Sequence, residues 1–261
     1  MNILVLLRMV PDVVEELEIA PGGKALDADL LRMMLSESDG HALEEALLLK
    51  ERYGGVVTVL ALDAPEVDDA LFTALAKGAD RAVKISDAGE NPTTLEAAYT
   101  FAGWIAGQPD LAYADVILTG VQAIDDLDGL LAPLVAHQMR LPYLGIVTRL
   151  AVDVPGRVAT AIKEYPGGVR GEFDVDLPAV FGIQAAEKPP RYVPVAKVRA
   201  AMKSRQIESV PAPTLAEAGP SLVNVVAMEK PQPAEWAAML EGSPEQVSGK
   251  VCEILAGTGL L

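Results

Sequence analysis

Cysteine, histidine and aromatic residues are scarce in this chain of 261 residues. The one cysteine, Cys252, excludes an internal disulfide framework and a zinc site built from cysteines, and we expect its side chain to be buried on a C-terminal helix. The aromatic content of 5% is too low for a platform on which nucleic-acid bases stack. His41 and His137 are predicted in the first and last turns of helices, where a surface or capping role is more common than that of a general base.

Positive charge is also in short supply, since 21 Lys and Arg residues face 37 Asp and Glu residues and the net charge is −16. Nucleic-acid binding requires clustered cations that replace phosphate counterions, so this balance argues against it. It also argues against docking on an anionic membrane. The longest apolar runs fall short of the roughly 18 residues of a membrane span, and the apolar segment at residues 2–7 is too short for a signal peptide. We therefore expect a cytoplasmic protein that does not insert into membranes.

Short apolar runs alternate with amphipathic segments of helical length over the first 150 residues. Continuous apolar runs are typical of strands buried on both faces, and their alternation with helices predicts a parallel sheet covered on both sides. The sequence therefore predicts an α/β fold with a doubly wound, mostly parallel sheet. The predicted strands are residues 2–7, 56–62, 81–85, 115–119 and 144–148, and the predicted helices are about residues 40–53, 65–77, 91–105 and 129–139.

The pattern changes after residue 150. Three short strands joined by Pro/Gly turns, Arg157–Glu164, Gly168–Val175 and Ala179–Ile183, are predicted to form an antiparallel extension. Residues 205–233 are rich in Pro and Ala, which indicates an extended arm. The segment Ser243-Pro-Glu-Gln246 has the pattern of a capping box with proline at the first helical position, so helix is expected again near the C-terminus.

The motifs of common enzymes are absent: the chain has no GxxxxGK[ST], no GxSxG, no HExxH, no CxxC and no GxGxxG after the first strand. We therefore predict no catalytic residue. The most informative local segment is Thr119–Gly129, which follows a predicted strand and precedes a predicted helix. Ligands bind beyond the carboxyl ends of strands in doubly wound sheets, and a helix N-terminus favours an anion. The spacing leaves three alternatives: a nucleotide phosphate on the amides of residues 126–129, a solvated capping loop, or a metal site at Asp125, Asp126 and Asp128.

Five segments, in order over residues 1–205, resemble the β subunits of electron transfer flavoproteins. They are Ile3–Asp12, Ala42–Glu51, Ala70–Arg81, Gly120–Asp126 and Pro190–Arg205. The resemblance implies that the chain is not an enzyme by itself but pairs with an FAD-containing α subunit and shuttles electrons between a dehydrogenase and an acceptor. It also implies that the chain holds AMP or, as in electron-bifurcating members, a second FAD. A stand-alone nucleotide-binding or regulatory module of the same fold, without flavin, is the alternative.

The resemblance also implies domains and site residues. Residues 1–204 would form a domain of the adenine-nucleotide-binding type, and residues 205–261 would form an arm and terminal helices that pack on the α subunit. A loop containing Glu187, Arg191 and Tyr192 would contact the redox partner, with Glu187 where many members have an apolar anchor, unless this segment is only a mobile surface loop. The nucleotide would contact Leu6, Ser36, Asp63, Gly120, Gln122, Asp125, Asp126, Asp128 and Gly129.

Several of these positions depart from the family pattern. Asp128 stands where Thr or Cys is usual, and Leu130 stands where Gln is usual. Ser36 replaces a common Asn, and Asp63 replaces a small residue. An aspartate beside a phosphate is repulsive unless it caps the helix or a cation intervenes. These departures favour FAD or a weakly filled site over tightly held AMP.

Overall fold

A computed structural model shows an α/β protein and describes residues 1–89, 92–109, 114–126, 128–214, 224–232 and 237–259. The strands, in chain order, are β1 (Asn2–Leu7), β2 (Met9–Pro11), β3 (Met33–Leu35), β4 (Val56–Leu62), β5 (Arg81–Ser86), β6 (Val116–Gly120), β7 (Tyr143–Asp153), β8 (Val158–Tyr165), β9 (Val169–Asp176), β10 (Ala179–Ile183) and β11 (Glu208–Pro211). The α-helices are α1 (Glu37–Tyr53), α2 (Val67–Lys77), α3 (Thr94–Ala106), α4 (Leu131–Met139), α5 (Val195–Ser204) and α6 (Pro244–Gly257).

Nine of the strands form one sheet in the order β11-β5-β4-β1-β6-β10-β7-β8-β9. The pairs from β11 to β7 are all parallel, and β7-β8-β9 are antiparallel. The chain runs outward from β1 through β4 to β5 and then returns to the other side of β1 with β6. This reversal makes the boundary between β1 and β6 the switch point of a doubly wound sheet, and it confirms the predicted fold class.

Side chains point alternately to the two faces of the sheet, so its apolar strands present an apolar surface on each face. Helices cover both of these faces. On β1, Ile3, Val5 and Leu7 pack in a core with the apolar side chains of α1 and α2. The intervening Leu4 and Leu6 pack in a second core with α3 and α4. The carboxyl ends of β1, β4 and β6 are thus held between two helical layers and define one edge of the sheet.

The predicted strand at residues 179–183 exists, but its placement in the antiparallel extension is wrong. β10 lies between β6 and β7 and is parallel to both. All five of its residues are buried, as expected for a strand inside a parallel sheet. The antiparallel extension consists instead of β8 and β9, which continue from β7. A cis peptide bond, Leu177–Pro178, joins β9 to β10.

Most helix positions are confirmed, with shifts of a few residues at their starts. α1 begins at Glu37, three residues before the predicted start, and Ser36 precedes it as the N-cap residue without a side-chain capping bond. α3 begins with a capping box at Thr93, whereas the predicted start at Asn91 lies outside the described residues. His137 lies in the last turn of α4, as predicted.

The C-terminal region contains two described elements. β11 pairs with β5 and so extends the main sheet at its edge. α6 carries the predicted capping box between Ser243 and Gln246, but it buries none of its residues. The prediction that Cys252 is buried is therefore wrong, because its helix has no surface of the described chain to pack against and the thiol is exposed. None of the described helices combines the length and apolar character needed to cross a membrane.

Candidate functional site

The carboxyl edge of the sheet encloses a crevice at the switch point. A cavity of about 170 Å³ lies there between the ends of β1 and β4 and the loop after β6. An open cleft of about 830 Å³ adjoins it, and the two share the lining residues Met33, Asp63 and Ala64. A further cleft of about 740 Å³ adjoins the start of α1 and the loop after β6. The cavity is lined by Leu7, Arg8, Met9, Met33, Leu62, Asp63, Ala64, Pro92, Ala97 and Asp125.

A buried carboxylate of α1 ties the strand ends of the crevice together. Asp39 Oδ2 accepts the backbone N–H of Arg8 at 2.7 Å, and Asp39 Oδ1 accepts that of Gly120 at 2.6 Å. Burial raises the pKa of Asp39 to about 6, although these hydrogen bonds and the Arg8 charge oppose the shift. A Cβ atom at Gly120 would overlap Ser38 Oγ, so the approach of α1 to β6 requires glycine there.

Arg8 spans the crevice from the end of β1 to the loop after β6. Its Nη1 donates to Asp126 Oδ2 at 3.0 Å, and its Nη2 lies 3.5 Å from Asp125 Oδ1. The two acidic side chains differ in exposure, with 2% for Asp126 and 34% for Asp125. Burial raises the pKa of Asp125, and the Arg8 charge works against that rise. The cation therefore has one enclosed partner and one partner open to solvent.

The Asp126 carboxylate occupies the loop amides that the sequence assigns to a phosphate. Its Oδ1 accepts the N–H groups of Asp128 at 3.3 Å and Gly129 at 3.2 Å, and the hydroxyl of Thr94 at 3.2 Å. Asp128 Oδ1 in turn accepts the N–H of Leu130 at 3.1 Å, just before α4. Burial disfavours the Asp126 anion, but a hydrogen bond with the Asp128 side chain, the Arg8 charge and the bonds from the amides together hold its pKa below the ordinary value. Burial raises the pKa of Asp128, as does its hydrogen bond with Asp126.

The remaining predicted nucleotide residues are spread around this centre. Gln122 Nε2 donates to the Asp126 carbonyl at 2.6 Å, and Gly129 has a positive φ of 59° beside the Gln122 side chain. Leu6 is fully buried in the core, so only its backbone faces the edge. Ser36 is buried before α1, and its hydroxyl lies 3.2 Å from that of Ser38.

Asp63 lies on the opposite flank of the crevice, after β4. It is half exposed and lies 3.6 Å from Lys84 Nζ. The structure thus places all nine predicted residues at or behind one edge of the sheet. Whether they bind a nucleotide stays a prediction.

The predicted partner-binding residues lie in the segment 184–192, here called the partner loop. Three side chains of α1 accept backbone N–H groups from it: His41 Nδ1 from Ala186 at 3.2 Å, Glu45 from Glu187 at 2.9 Å, and Glu44 from Arg191 at 2.9 Å. Glu45 also accepts the N–H of Leu150 in β7. The partner loop is therefore anchored to α1 along its length.

Two of the three candidate partner residues are engaged within the chain. Glu187 pairs with Arg52 at 2.8 Å and lies 3.9 Å from Arg149. Arg191 pairs with Glu44 at 2.8 Å and Glu51 at 2.6 Å. Tyr192, in contrast, is 83% exposed. It is the candidate most available to another molecule.

Sequence reasoning missed four residues that organise these sites: Arg8, Asp39, Glu44 and Glu45. The clearest missed signal was the pair Glu44-Glu45 inside the apolar run of α1, where both carboxylates are nearly fully buried. Buried carboxylates require hydrogen-bond partners, so this pair predicts an anchoring role. Within the described residues, no group of three or more His, Cys, Asp or Glu side chains is placed to hold a metal ion.

Known proteins match this chain over most of its length. A family model described as the electron transfer flavoprotein domain matches residues 28–215. A protein of Clostridium acetobutylicum named electron transfer flavoprotein subunit beta is 35% identical over 76% of this chain and 74% of its own length. A protein of the same name from Methylophilus methylotrophus is 30% identical, and the match covers 98% of this chain and 98% of that protein. Another from Bacillus subtilis is 28% identical, and the match covers 98% of this chain and 97% of that protein.

Proposed function

We infer that the chain, which belongs to the electron transfer flavoprotein family among its β subunits, works in a heterodimer with an FAD-containing α subunit. In that heterodimer it shuttles electrons between a dehydrogenase and an acceptor. The flavin supplies the electron-transfer chemistry, and the protein supplies binding, orientation and electrostatics. The chain itself is therefore an electron-carrier subunit and not an enzyme.

The observation that carries the nucleotide part of this proposal is the crevice at the switch point. The segments that the family resemblance assigns to a nucleotide all end at this edge, although they are distant in sequence. The cavity and its open cleft of about 830 Å³ provide a volume in the range of small-molecule sites. Arg8 supplies a cation there. These features fit AMP or a second FAD held against Arg8 and Asp63.

The partner loop is the proposed contact with the dehydrogenase or another redox partner. Because Glu187 is paired with Arg52, its charge contributes little to steering a partner. The exposed Tyr192 supplies the contact area instead, on a loop that α1 holds in place. Exposed aromatic side chains on rigid supports are common centres of protein interfaces.

Co-expression with a cognate α subunit tests the proposal. We expect the two chains to elute together in size-exclusion chromatography with flavin absorbance and to release, on denaturation, either two flavins or one flavin and one AMP. A colourless chain that elutes alone as a monomer or homodimer would contradict the proposal. If that chain still bound nucleotide, the stand-alone nucleotide-binding module would be supported instead.

A further inference from the structure

We propose that Arg8 recognises the phosphate of the nucleotide in the crevice, with Asp126 orienting its guanidinium and Asp125 giving up its place to the phosphate. This inference rests on the proposed function, because it requires a phosphate-bearing ligand at the switch point. The ligand class is a phosphate ester of adenosine, either AMP or the pyrophosphate of FAD.

Arg8 lies where a phosphate would enter the cavity. It follows β1 at the switch point and is the one cationic residue among the described residues that line the cavity. Its backbone is fixed, since its N–H donates to the buried Asp39. A guanidinium held in this way presents several N–H donors in a planar fork that matches phosphate oxygens.

The two ion pairs of Arg8 are unequal. The bond from Nη1 to Asp126 is 3.0 Å long, and the Asp126 carboxylate is fixed by further hydrogen bonds from two amides and a hydroxyl. The 3.5 Å distance from Nη2 to Asp125 is too long for a good hydrogen bond, and Asp125 is partly open to solvent. A phosphate oxygen therefore displaces Asp125 at little cost and leaves Asp126 in place.

Other groups that could bind an anion are already engaged. The amides of Asp128 and Gly129, which a phosphate would otherwise use, already donate to Asp126, and that of Leu130 donates to Asp128. The carboxylates around the crevice repel an incoming anion. Lys84, the other cation near this edge, pairs with Asp68 at 2.9 Å and does not line the cavity. A phosphate in the cavity thus depends on Arg8 for compensation of its charge.

The test compares AMP with adenosine in Arg8→Gln. The heterodimer with its cognate α subunit is treated with charcoal to remove bound nucleotide and then titrated with each ligand in a calorimeter. We expect AMP to bind about 10- to 100-fold more weakly than to the wild type and adenosine to change by less than about 3-fold. If the ligand is FAD, the flavin released per heterodimer falls from two to one. Arg170→Gln, which removes an exposed arginine of β9 that pairs with Glu164 of β8, is the charge-matched control.

Asp125→Asn is a second variant, and it should change the affinity for AMP in the opposite direction. Removing the competing carboxylate strengthens AMP binding by about 3- to 10-fold and leaves adenosine nearly unchanged. Equal loss of AMP and adenosine in Arg8→Gln, or unchanged AMP and FAD binding, overturns the role of Arg8 while leaving the proposed function intact. A wild-type heterodimer with only the α-subunit flavin and no binding of AMP or FAD in this crevice overturns both.

Discussion

Three carboxylates of α1, those of Asp39, Glu44 and Glu45, are almost fully buried, and each accepts backbone N–H groups from other elements. Buried charge is costly unless it is hydrogen-bonded or paired. These residues therefore act as fixed points at which one helix holds the strand ends and the partner loop. Asp39 does this for the crevice, and the two glutamates do it for the loop.

Asp39 makes the stability of the chain depend on pH in a definite direction. Its pKa is about 6 in the folded chain against 3.8 for the free group, so the folded chain binds this proton more tightly. The contribution of Asp39 to the unfolding free energy is therefore full below pH 4 and declines by up to about 3 kcal/mol as the pH rises through 6. Asp39→Asn removes this decline.

Urea unfolding followed by circular dichroism at several pH values between 4 and 7 measures the effect. The unfolding free energy of the wild type, relative to Asp39→Asn, should fall as the pH rises over this range. Parallel pH profiles for the two proteins would show that Asp39 has no raised pKa in the folded chain.

Gly120 is the residue where added volume should matter most. In Gly120→Ala the new Cβ would lie 2.6 Å from Asp39 Oδ1 and overlap Ser38 Oγ, so α1 must move away from β6. We expect a loss of about 1–3 kcal/mol in the unfolding free energy, measured by urea denaturation. Gly40→Ala is the control, because nothing lies within 4 Å of its added Cβ and alanine favours a helix by about 0.5–1 kcal/mol. A destabilised Gly40→Ala beside an unaffected Gly120→Ala would contradict this explanation.

At the scale of elements, hydrophobic runs located most strands, because a strand buried on both faces needs an unbroken apolar sequence. The apolar run could not predict which strands β10 pairs with. Its run, Ala179–Ile183, is short and comes directly after two strands of an antiparallel sheet, so sequence order favoured a third antiparallel strand. Its pairing is decided by tertiary contacts with β6 and β7, which are distant in sequence.

The link between α1 and the partner loop is testable by two glutamates that contact the same arginine. Glu44 is buried and accepts both the N–H and the guanidinium of Arg191, whereas Glu51 is exposed and accepts the guanidinium alone. We expect Glu44→Gln to lower the unfolding free energy by about 1–3 kcal/mol and to speed amide hydrogen exchange in the loop. Glu51→Gln should cost less than about 1 kcal/mol and leave the exchange unchanged. Equal effects in the two variants would contradict a buried anchor.

At the scale of the whole molecule, the location of the crevice could be predicted, but its internal bonds could not. The rule for doubly wound sheets and the Gly120–Asp126 motif both led to the carboxyl edge beside β6. The contacts of Arg8 with Asp39 and Asp126 join residues 31 and 118 positions apart, and local patterns carry no information on such pairs. The hydrogen bonds of Asp126 to the loop amides are likewise accompanied by contacts with Thr94 of α3 and with Arg8, which lies between β1 and β2. Part of the net charge of −16 is therefore built into the crevice.

The apolar face of α6 gives a prediction about assembly. The helix buries no residue against the described chain, and Val251 and Ile254, one turn apart on the same face, are 40% and 54% exposed. If the α subunit covers this face, the double variant Val251→Ser with Ile254→Ser should bind it about 10- to 100-fold more weakly. Each side chain is about half exposed in the free chain, so covering it contributes about half of the roughly 1.5–3 kcal/mol of full burial. The unfolding free energy of the double variant should change by less than about 0.5 kcal/mol.

Analytical ultracentrifugation with the α subunit measures the association, and urea denaturation of the chain alone measures the unfolding free energy. Glu253→Ser, on the opposite face of α6, is the control for both. A double variant that associates normally but unfolds more easily would show that α6 packs on its own chain.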